Sequence, residues 1–349
     1  MNTRVVVIDP QNIDHEAIRE AGAIIRNGGL VAFPTETVYG LGANGLDPGA
    51  VKRIFQAKGR PSDNPLILHI SRAEELDKLV EDIPSTAERL IEEFWPGPLT
   101  LIFKKSPLVP EIVTAGLDTV AVRMPSHPVA MSMIRYAGVP VAAPSANLSG
   151  KPSPTRAHHV IKDLLGKVDM IIDSGSVMVG LESTVADVTG GGVVVLRPGG
   201  ITPEQLGEVA GDVTVDPGLI PDSDTTIPKA PGMKYAHYSP DAQVIVIDGD
   251  MYRAAEKIQR MAKDLERQGK RVGIMATEQT KALYKDALVV SVGDRKRPYT
   301  IAANLFAVLR EFDALGVDVI LAEGVERQGV GLAVMNRLLK AASHNVVRV

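Results

Sequence analysis

A chain of 349 residues with 45% hydrophobic side chains and a net charge of −4 exceeds the roughly 100–200 residues of one ordinary domain, so two domains are expected. It has no cysteine, which excludes disulfides, zinc thiolate sites, a cysteine nucleophile and cysteine-ligated iron–sulfur clusters. Charge is uneven, a net −6 over residues 1–212 against +4 over 242–349, and without a strongly basic stripe tight non-specific RNA or DNA binding is disfavoured. No apolar run approaches the roughly 18 residues that span a bilayer, and MNTRVVVIDPQNID lacks the long apolar core of a signal peptide, so the reading is no membrane and a cytoplasmic address.

In chain order, Ala17, Ile18, Ala21, Ile24 and Ile25 fall at helical spacing between Asp14 and Asn27, and Gly28-Gly29 ends that helix. Leu30 to Phe33 reads as a short buried strand, followed by PTETVYGLGANG. This segment contains Gly40-x-Gly42-x-x-Gly45, the dinucleotide fingerprint by letter, in a context without clean βαβ spacing. Thr35, Thr37 and Tyr39 are hydroxyls on a loop leaving a strand, the usual place for ligands in α/β sheets.

The central stretch is KGRPSDNPL, Lys58 to Leu66. A helix carrying Val51, Ile54 and Phe55 should stop near Gly59, because Pro61 cannot continue it and Gly tolerates the left-handed turn. Lys58 and Arg60 then stand at the mouth of a loop, with Asn64 and His69 returning beside them along a strand from Leu66 to Ile70. Such a group suits a polyanion: Arg grips phosphate oxygens in a fork and Lys is a mobile point charge. The alternative is a solvated helix end with a cation favoured by the macrodipole.

Two helical patterns between Glu74 and Phe94 are split at Pro84, and Trp95-Pro96-Gly97-Pro98 turns the chain into a strand from Leu99 to Phe103. Thr119 to Met124 forms the next strand and presents Arg123, a candidate carboxylate clamp. A strand from Val139 to Ala143 delivers Ser145 and Asn147 into a loop, and Ser153-Pro154-Thr155 opens a helix running to about Leu165, either an anion site or an ordinary N-cap. No Walker-type glycine loop occurs. Leu181 to Thr184 and Val193 to Leu196 suggest two more strands, the second entering Arg197-Pro198-Gly199.

FPTETVYGLG, KGRPSDNPL followed by His69, WPGPLT, VRMP, APSANLSGKPSPT, ESTVAD, LRPGGI and PGMKYAHYSP together resemble the threonylcarbamoyl-AMP synthases, in their long two-domain form with a YrdC-like catalytic domain. The Lys-x-Arg…Ser-x-Asn signature, here Lys58, Arg60, Ser145 and Asn147, is intact. Ala230, where a Ser is more usual, departs from the pattern without touching the catalytic motifs. The resemblance implies an α/β chain with an N-terminal YrdC-like twisted mixed sheet and a smaller C-terminal Rossmann-like parallel domain. It implies a nucleotidyltransferase that condenses L-threonine, bicarbonate or CO2, and ATP into threonylcarbamoyl-AMP and pyrophosphate. The product feeds the tRNA threonylcarbamoyl transferase machinery, without direct tRNA binding being required.

By the same resemblance, Lys58, Arg60, Ser145 and Asn147 are catalytic. Arg60, Asn64, Thr119, Ser145, Asn147, Ser153 and Arg197 hold ATP, with Lys58 and Mg2+ screening the triphosphate, although no metal ligand is identifiable. Thr35, Thr37, His69, Arg123 and Ser183 hold threonine, with Arg123 on its carboxylate. The expected division is a catalytic domain over 1–212, a linker over 213–242 and a Rossmann-like domain over 243–349. The linker carries Pro217, Pro221, Pro228, Pro231 and Pro240 and is read as a lid, with Tyr235 and His237 reaching the nucleotide. Beyond it, strands Val244–Ile247, Val272–Ala276, Leu288–Val292 and Val317–Leu321 alternate with helices Met251–Gln268, Thr280–Lys285, Ile301–Leu315 and Leu332–Ala342. Two alternatives compete. A hydrogenase-maturation-type carbamoyl transferase carries cysteine zinc modules, which this chain lacks, and an RNA-binding module is disfavoured by the acidic first part.

Overall fold

The computed structural model describes residues 2–219, 238–285 and 287–349. These divide into two compact units, the first built on the chain up to Ser149, on Ser153–Met178 and on the segment from Glu182, and the second on Gly150–Pro152, Val179–Leu181 and the segment from Tyr238 to Val349.

The first unit holds β1 (Arg4–Val7), β2 (Val31–Phe33), β3 (Gly40–Asn44), β4 (Ile67–His69), β5 (Leu99–Lys104), β6 (Thr119–Arg123), β7 (Val141–Ala142), β8 (Met170–Asp173), β9 (Thr184–Asp187), β10 (Val193–Arg197) and β11 (Val213–Val215). They form one mixed sheet in the order β1-β8-β2-β3-β7-β4-β6-β5-β9-β10-β11. Its two faces are buried in different cores, because side chains alternate along a strand. Val31 and Phe33 point to the helix His15–Arg26, whose Ile18, Ala21 and Ile25 lie at helical spacing, while Leu30 and Ala32 pack in the core with Val51, Ile54 and Phe55. Asp14 caps the first helix by accepting from the N–H groups of Glu16 and Ala17, as its position in the sequence predicts. The helix Pro48–Lys58 stops where expected: Gly59 is left-handed at φ 61°, and the Arg60 N–H reaches back to the Phe55 carbonyl at 2.9 Å.

Several boundaries differ. PTETVYGLGANG is not wholly loop, since Gly40–Asn44 is the strand β3. Its glycines serve packing: a Cβ on Gly42 would lie 2.8 Å from Val141 Cγ1, and one on Gly45 2.5 Å from Leu68 Cδ2. Gly40 and Gly42 thus lie on a strand and not in a strand-to-helix turn, which removes the dinucleotide reading. The helix read from Ser153 begins at Ala157, with Arg156 at its N-cap, so neither Ser153 nor Thr155 caps it. The strand read at Leu181–Thr184 runs instead over Thr184–Asp187, and Val213–Val215, read as linker, adds a strand to the sheet edge. The helix Pro128–Ala137, the helix Pro203–Ala210 and the strands β1 and β8 had no sequence-based expectation.

The second unit is a five-stranded sheet of β12 (Gln243–Asp248), β13 (Val272–Thr277), β14 (Leu288–Gly293), β15 (Val319–Glu323) and β16 (Val346–Arg348), in the order β14-β13-β15-β12-β16. Every pairing in it is parallel. VGIMAT and VILAE are buried at every position, the near-continuous apolar pattern of strands covered on both faces. Helices Met251–Arg267, Pro298–Leu315 and Val330–Ala341 accompany the strands, and the helix expected at Thr280–Lys285 shrinks to a single 3-10 turn, Lys281–Leu283. No helix among the described residues is long and apolar enough to cross a membrane.

Candidate active site

Arg123 ends β6, directly opposite His69 of β4 on one side and Thr100 of β5 on the other. It is 4% exposed and its guanidinium is held at three points. Nε donates to the Gly97 carbonyl at 3.2 Å, Nη1 to Thr37 Oγ1 at 3.0 Å and Nη2 to Glu36 Oε1 at 2.6 Å. A guanidinium has five N–H groups in a fixed fork, so one hydrogen on each Nη is left for an incoming acceptor. Thr35 closes the loop on itself: its hydroxyl donates to the Val38 carbonyl at 2.6 Å and lies 2.8 Å from Thr37 Oγ1. With the Thr35 proton thus committed, Thr37 donates to Thr35 and accepts from Arg123, and both hydroxyls serve to orient the arginine.

His69 is buried, with Nδ1 3.2 Å from the Ile67 carbonyl and its ring edge-on to Phe33 at 6.3 Å. Burial, reinforced by the Arg123 charge, pushes its pKa down to about 3, so the imidazole is neutral at physiological pH. Tyr39 is a core residue, donating to the Gly175 carbonyl at 2.7 Å and accepting from the Ser174 N–H at 3.1 Å. Burial raises its pKa, and it keeps its proton.

A second group forms where the helix bearing Lys58 meets the loop after β7. Lys58 Nζ, 2% exposed, donates to the carbonyls of Ser145 at 2.5 Å and Asn147 at 2.6 Å, and Ser145 Oγ donates to Asn147 Oδ1 at 2.5 Å. The backbone fixes this loop: Ser149 N–H bonds the Lys58 carbonyl, Ala146 N–H bonds the Tyr39 carbonyl, and Ser145 bridges to Gly40. The Thr35–Gly40 and Ser145–Asn147 segments are therefore laced together, 110 positions apart in sequence at Thr35 and Ser145. Arg60 Nη2 lies 3.3 Å from the carbonyls of Asn64 and Pro65, and Thr119 lines a small depression with Pro65 and Leu66 beside it. Asn64 is 1% exposed and its Oδ1 has no hydrogen-bond partner among the described residues.

A third group follows β9 and β10. Ser183 Oγ lies 2.7 Å from Thr100 Oγ1 and accepts from Arg197 Nη2 at 3.1 Å, while Arg197 Nε donates to the Ser183 carbonyl. Ser153, buried, donates to Glu182 Oε1 at 2.5 Å. Gly199 is required here, because a Cβ would sit 2.3 Å from the Thr184 nitrogen. Ser183 and Arg197, expected in different halves of the site, are thus direct partners. Tyr235 and His237, with the lid assigned to them, lie outside the described residues.

Sequence reading missed Glu36 and Glu182. Both are more than nine-tenths buried carboxylates on the chain segments already singled out, and acids inside FPTETVYGLG and ESTVAD were the available signal. A groove of about 500 Å³ opens along Gln56, Gly59, Leu148 and Lys167, but it contains none of the expected side chains. Among the described residues no group of three or more His, Asp or Glu side chains gathers as metal ligands.

This mixed sheet with its buried cationic and hydroxyl groups, followed by a parallel α/β unit, defines a YrdC-like protein of the two-domain class. Residues 23–199 match the family of Sua5, YciO and YrdC described as "Telomere recombination", and residues 201–343 match that described as "Threonylcarbamoyl-AMP synthase, C-terminal domain". The threonylcarbamoyl-AMP synthase of Pyrococcus abyssi is 51% identical, covering 99% of both chains, and that of Bacillus subtilis is 49% identical, covering 99% of this chain and 98% of its own. The solved structure of P. abyssi Sua5 complexed with L-threonine superposes with a TM-score of 0.94 at 51% identity, over 99% of this chain and 100% of the other. Escherichia coli YciO, 29% identical, matches 56% of this chain and 96% of its own with a TM-score of 0.52. The chain belongs to the threonylcarbamoyl-AMP synthase family.

Proposed function

We propose that this chain condenses L-threonine, bicarbonate or CO2, and ATP into threonylcarbamoyl-AMP and pyrophosphate, supplying the tRNA threonylcarbamoyl transferase machinery. The observation that carries the reading is Arg123, buried and held at three points with three of its five N–H groups engaged, in a chain 51% identical over its length to a protein solved with L-threonine. A carboxylate is the natural occupant of that fork.

Arg123 takes the threonine carboxylate, and neutral His69 and Ser183 contribute polar contacts without adding charge. Thr35 and Thr37 act through the arginine they orient. Once the amine has become a carbamate, its oxygen attacks the α-phosphorus and pyrophosphate leaves, so no protein nucleophile is needed. Catalysis is positioning and charge stabilisation. Lys58, anchored on the Ser145 and Asn147 carbonyls, delivers a fixed positive charge to the reacting phosphate region. Arg60, the unpaired amide oxygen of Asn64, Thr119, Ser153 and Arg197 provide the further nucleotide contacts. Mg2+ enters as the counter-ion of ATP: the described residues offer no cage of their own, and Mg2+ on a triphosphate keeps most of its ligands as water and phosphate oxygens.

Mass spectrometry of the purified protein with ATP, threonine and bicarbonate tests this directly. A threonylcarbamoyl-AMP peak with matching pyrophosphate is expected, whereas ATP consumed to ADP, or untouched, contradicts the proposal.

A further inference from the structure

We infer that Glu36 is the acceptor for the substrate's α-ammonium group and takes its proton when the carbamate forms. The inference rests on the threonine reading above and adds to it a residue that sequence reasoning passed over. Glu36 is 2% exposed, and its two oxygens are used unequally. Oε1 accepts from Arg123 Nη2 at 2.6 Å, while Oε2 is fully buried and has no hydrogen-bond partner among the described residues. Leaving a buried carboxylate oxygen without a donor is costly, and such atoms in a native site call for an occupant.

The neighbouring charges define that occupant. Arg123 supplies a guanidinium with two open N–H groups, and Glu36 Oε2 supplies an open anionic acceptor on the same ion pair. A free amino acid carries a carboxylate and an ammonium on one carbon, so a paired cation and anion, each half-satisfied by the other, is complementary to it. The other titratable groups around the pair add no competing cation. His69, across from Arg123 on β4, is neutral, and His127, whose imidazole senses the Glu36 charge, has its pKa lowered chiefly by burial. His127 Nδ1 accepts from the Val129 N–H at 3.3 Å, which fixes it as a helix cap.

The chemistry requires such a group. Threonine arrives as an ammonium, which has no lone pair for carbon. Transfer of one N–H proton to Glu36 Oε2 leaves the neutral amine and a carboxylic acid. The nitrogen lone pair then forms the N–C bond to CO2, one C=O π pair moves to oxygen, and the second ammonium-derived proton passes to water, leaving the carbamate. The carbamate oxygen attacks the α-phosphorus while the bond to the β-phosphate breaks. Glu36 returns its proton to solvent when product leaves.

Three measurements on the full-length protein test this. In calorimetric titration without ATP, Glu36→Gln should bind L-threonine at least tenfold more weakly than the unmodified protein, with ATP binding unchanged. L-threonine and 2,3-dihydroxybutyrate, which replaces the ammonium by a hydroxyl, should differ at least tenfold for the unmodified protein and little for Glu36→Gln. Synthesis by Glu36→Gln should recover as pH rises and free amine becomes available, a recovery that a residue serving merely to hold Arg123 would not show. Unchanged threonine affinity and rate in the variant would overturn the inference. If the variant fails to fold, equal binding of threonine and dihydroxybutyrate by the unmodified protein would overturn it alone. Formation of threonylcarbamoyl-AMP by the unmodified protein is scored separately, so failure of the functional reading and failure of the Glu36 assignment give different results.

Discussion

Two buried glutamates, one in each unit, have opposite hydrogen-bond accounts. Glu323 ends β15 beside β13, at the carboxyl edge of a parallel sheet where α/β proteins commonly bind ligands. Yet both of its oxygens are filled: Oε1 accepts from the Thr280 hydroxyl and from Tyr284 at 2.6 Å, and Oε2 accepts from the Thr277 N–H, the Thr277 hydroxyl and Arg295 Nη2 at 3.1, 2.8 and 3.2 Å. Tyr284 is held protonated by burial and by the adjacent Glu323 charge. Glu36 has an oxygen to spare. The position of a carboxylate in a sheet does not reveal its use; the number of its donors does. A saturated carboxylate ties elements together, and the half-saturated one beside Arg123 is the one to which the proposal assigns the ligand.

The strongest test of this contrast is to cut the saturated one. Glu323→Ala removes the buried carboxylate shared by Arg295, which is partly exposed, and by the buried Thr277, Thr280 and Tyr284 donors; loss of one partner of a fully buried pair costs roughly 3–5 kcal/mol, and the low end of that range is expected here. Urea unfolding followed by near-ultraviolet signals should show that loss in the second unit, and a change below about 1 kcal/mol, the range of an exposed pair, would reduce the cluster to surface decoration.

Next in size are Lys58→Ala and Arg60→Ala. A charge-assisted contact to phosphate is worth roughly 1.5–3 kcal/mol, so each change should slow adenylate formation at limiting ATP about tenfold or more, with threonine binding alone little altered. Unmodified rates in both variants would remove phosphate from the account of this loop.

A third effect is spread over pH. The folded-state pKa of His69 is lowered from the usual 6.5 to about 3, so the unfolded chain binds a proton there that the folded protein refuses. Its contribution is fully present above pH 6.5 and is lost as pH falls toward about 3, at about 1.4 kcal/mol per pH unit within that window. His69→Gln should flatten the acid limb of a stability profile by that slope. An unchanged slope would mean that His69 takes up a proton in the folded state.

These groups were unevenly legible. Lys58 and its helix stop were visible because Gly59 and Pro61 act locally, and Arg123 because a strand pattern led to it. Tyr39 looked like a ligand hydroxyl because its partners, Ser174 and Gly175, lie far along the chain. Ser153 looked like a helix cap because Ser-Pro-Thr is a cap by letter, whereas its hydroxyl is taken by Glu182, 29 residues away. The partnership of Ser183 with Arg197 depends on the antiparallel pairing of β9 and β10 with its register shift, which periodicity does not specify. Glu36 was hidden for the same reason: its importance lies in which of its oxygens Arg123 leaves alone.

The most direct measurement is threonine-dependent pyrophosphate release at saturating ATP by Arg123→Lys and by Glu323→Gln, each assayed below its own unfolding transition. A lysine cannot reproduce the fork, so Arg123→Lys should raise the KM for threonine tenfold or more, while Glu323→Gln keeps the unmodified KM and rate. An unchanged KM in Arg123→Lys, or a threonine KM that moves instead with Glu323→Gln, would contradict the assignment of threonine to the half-saturated pair in the first unit.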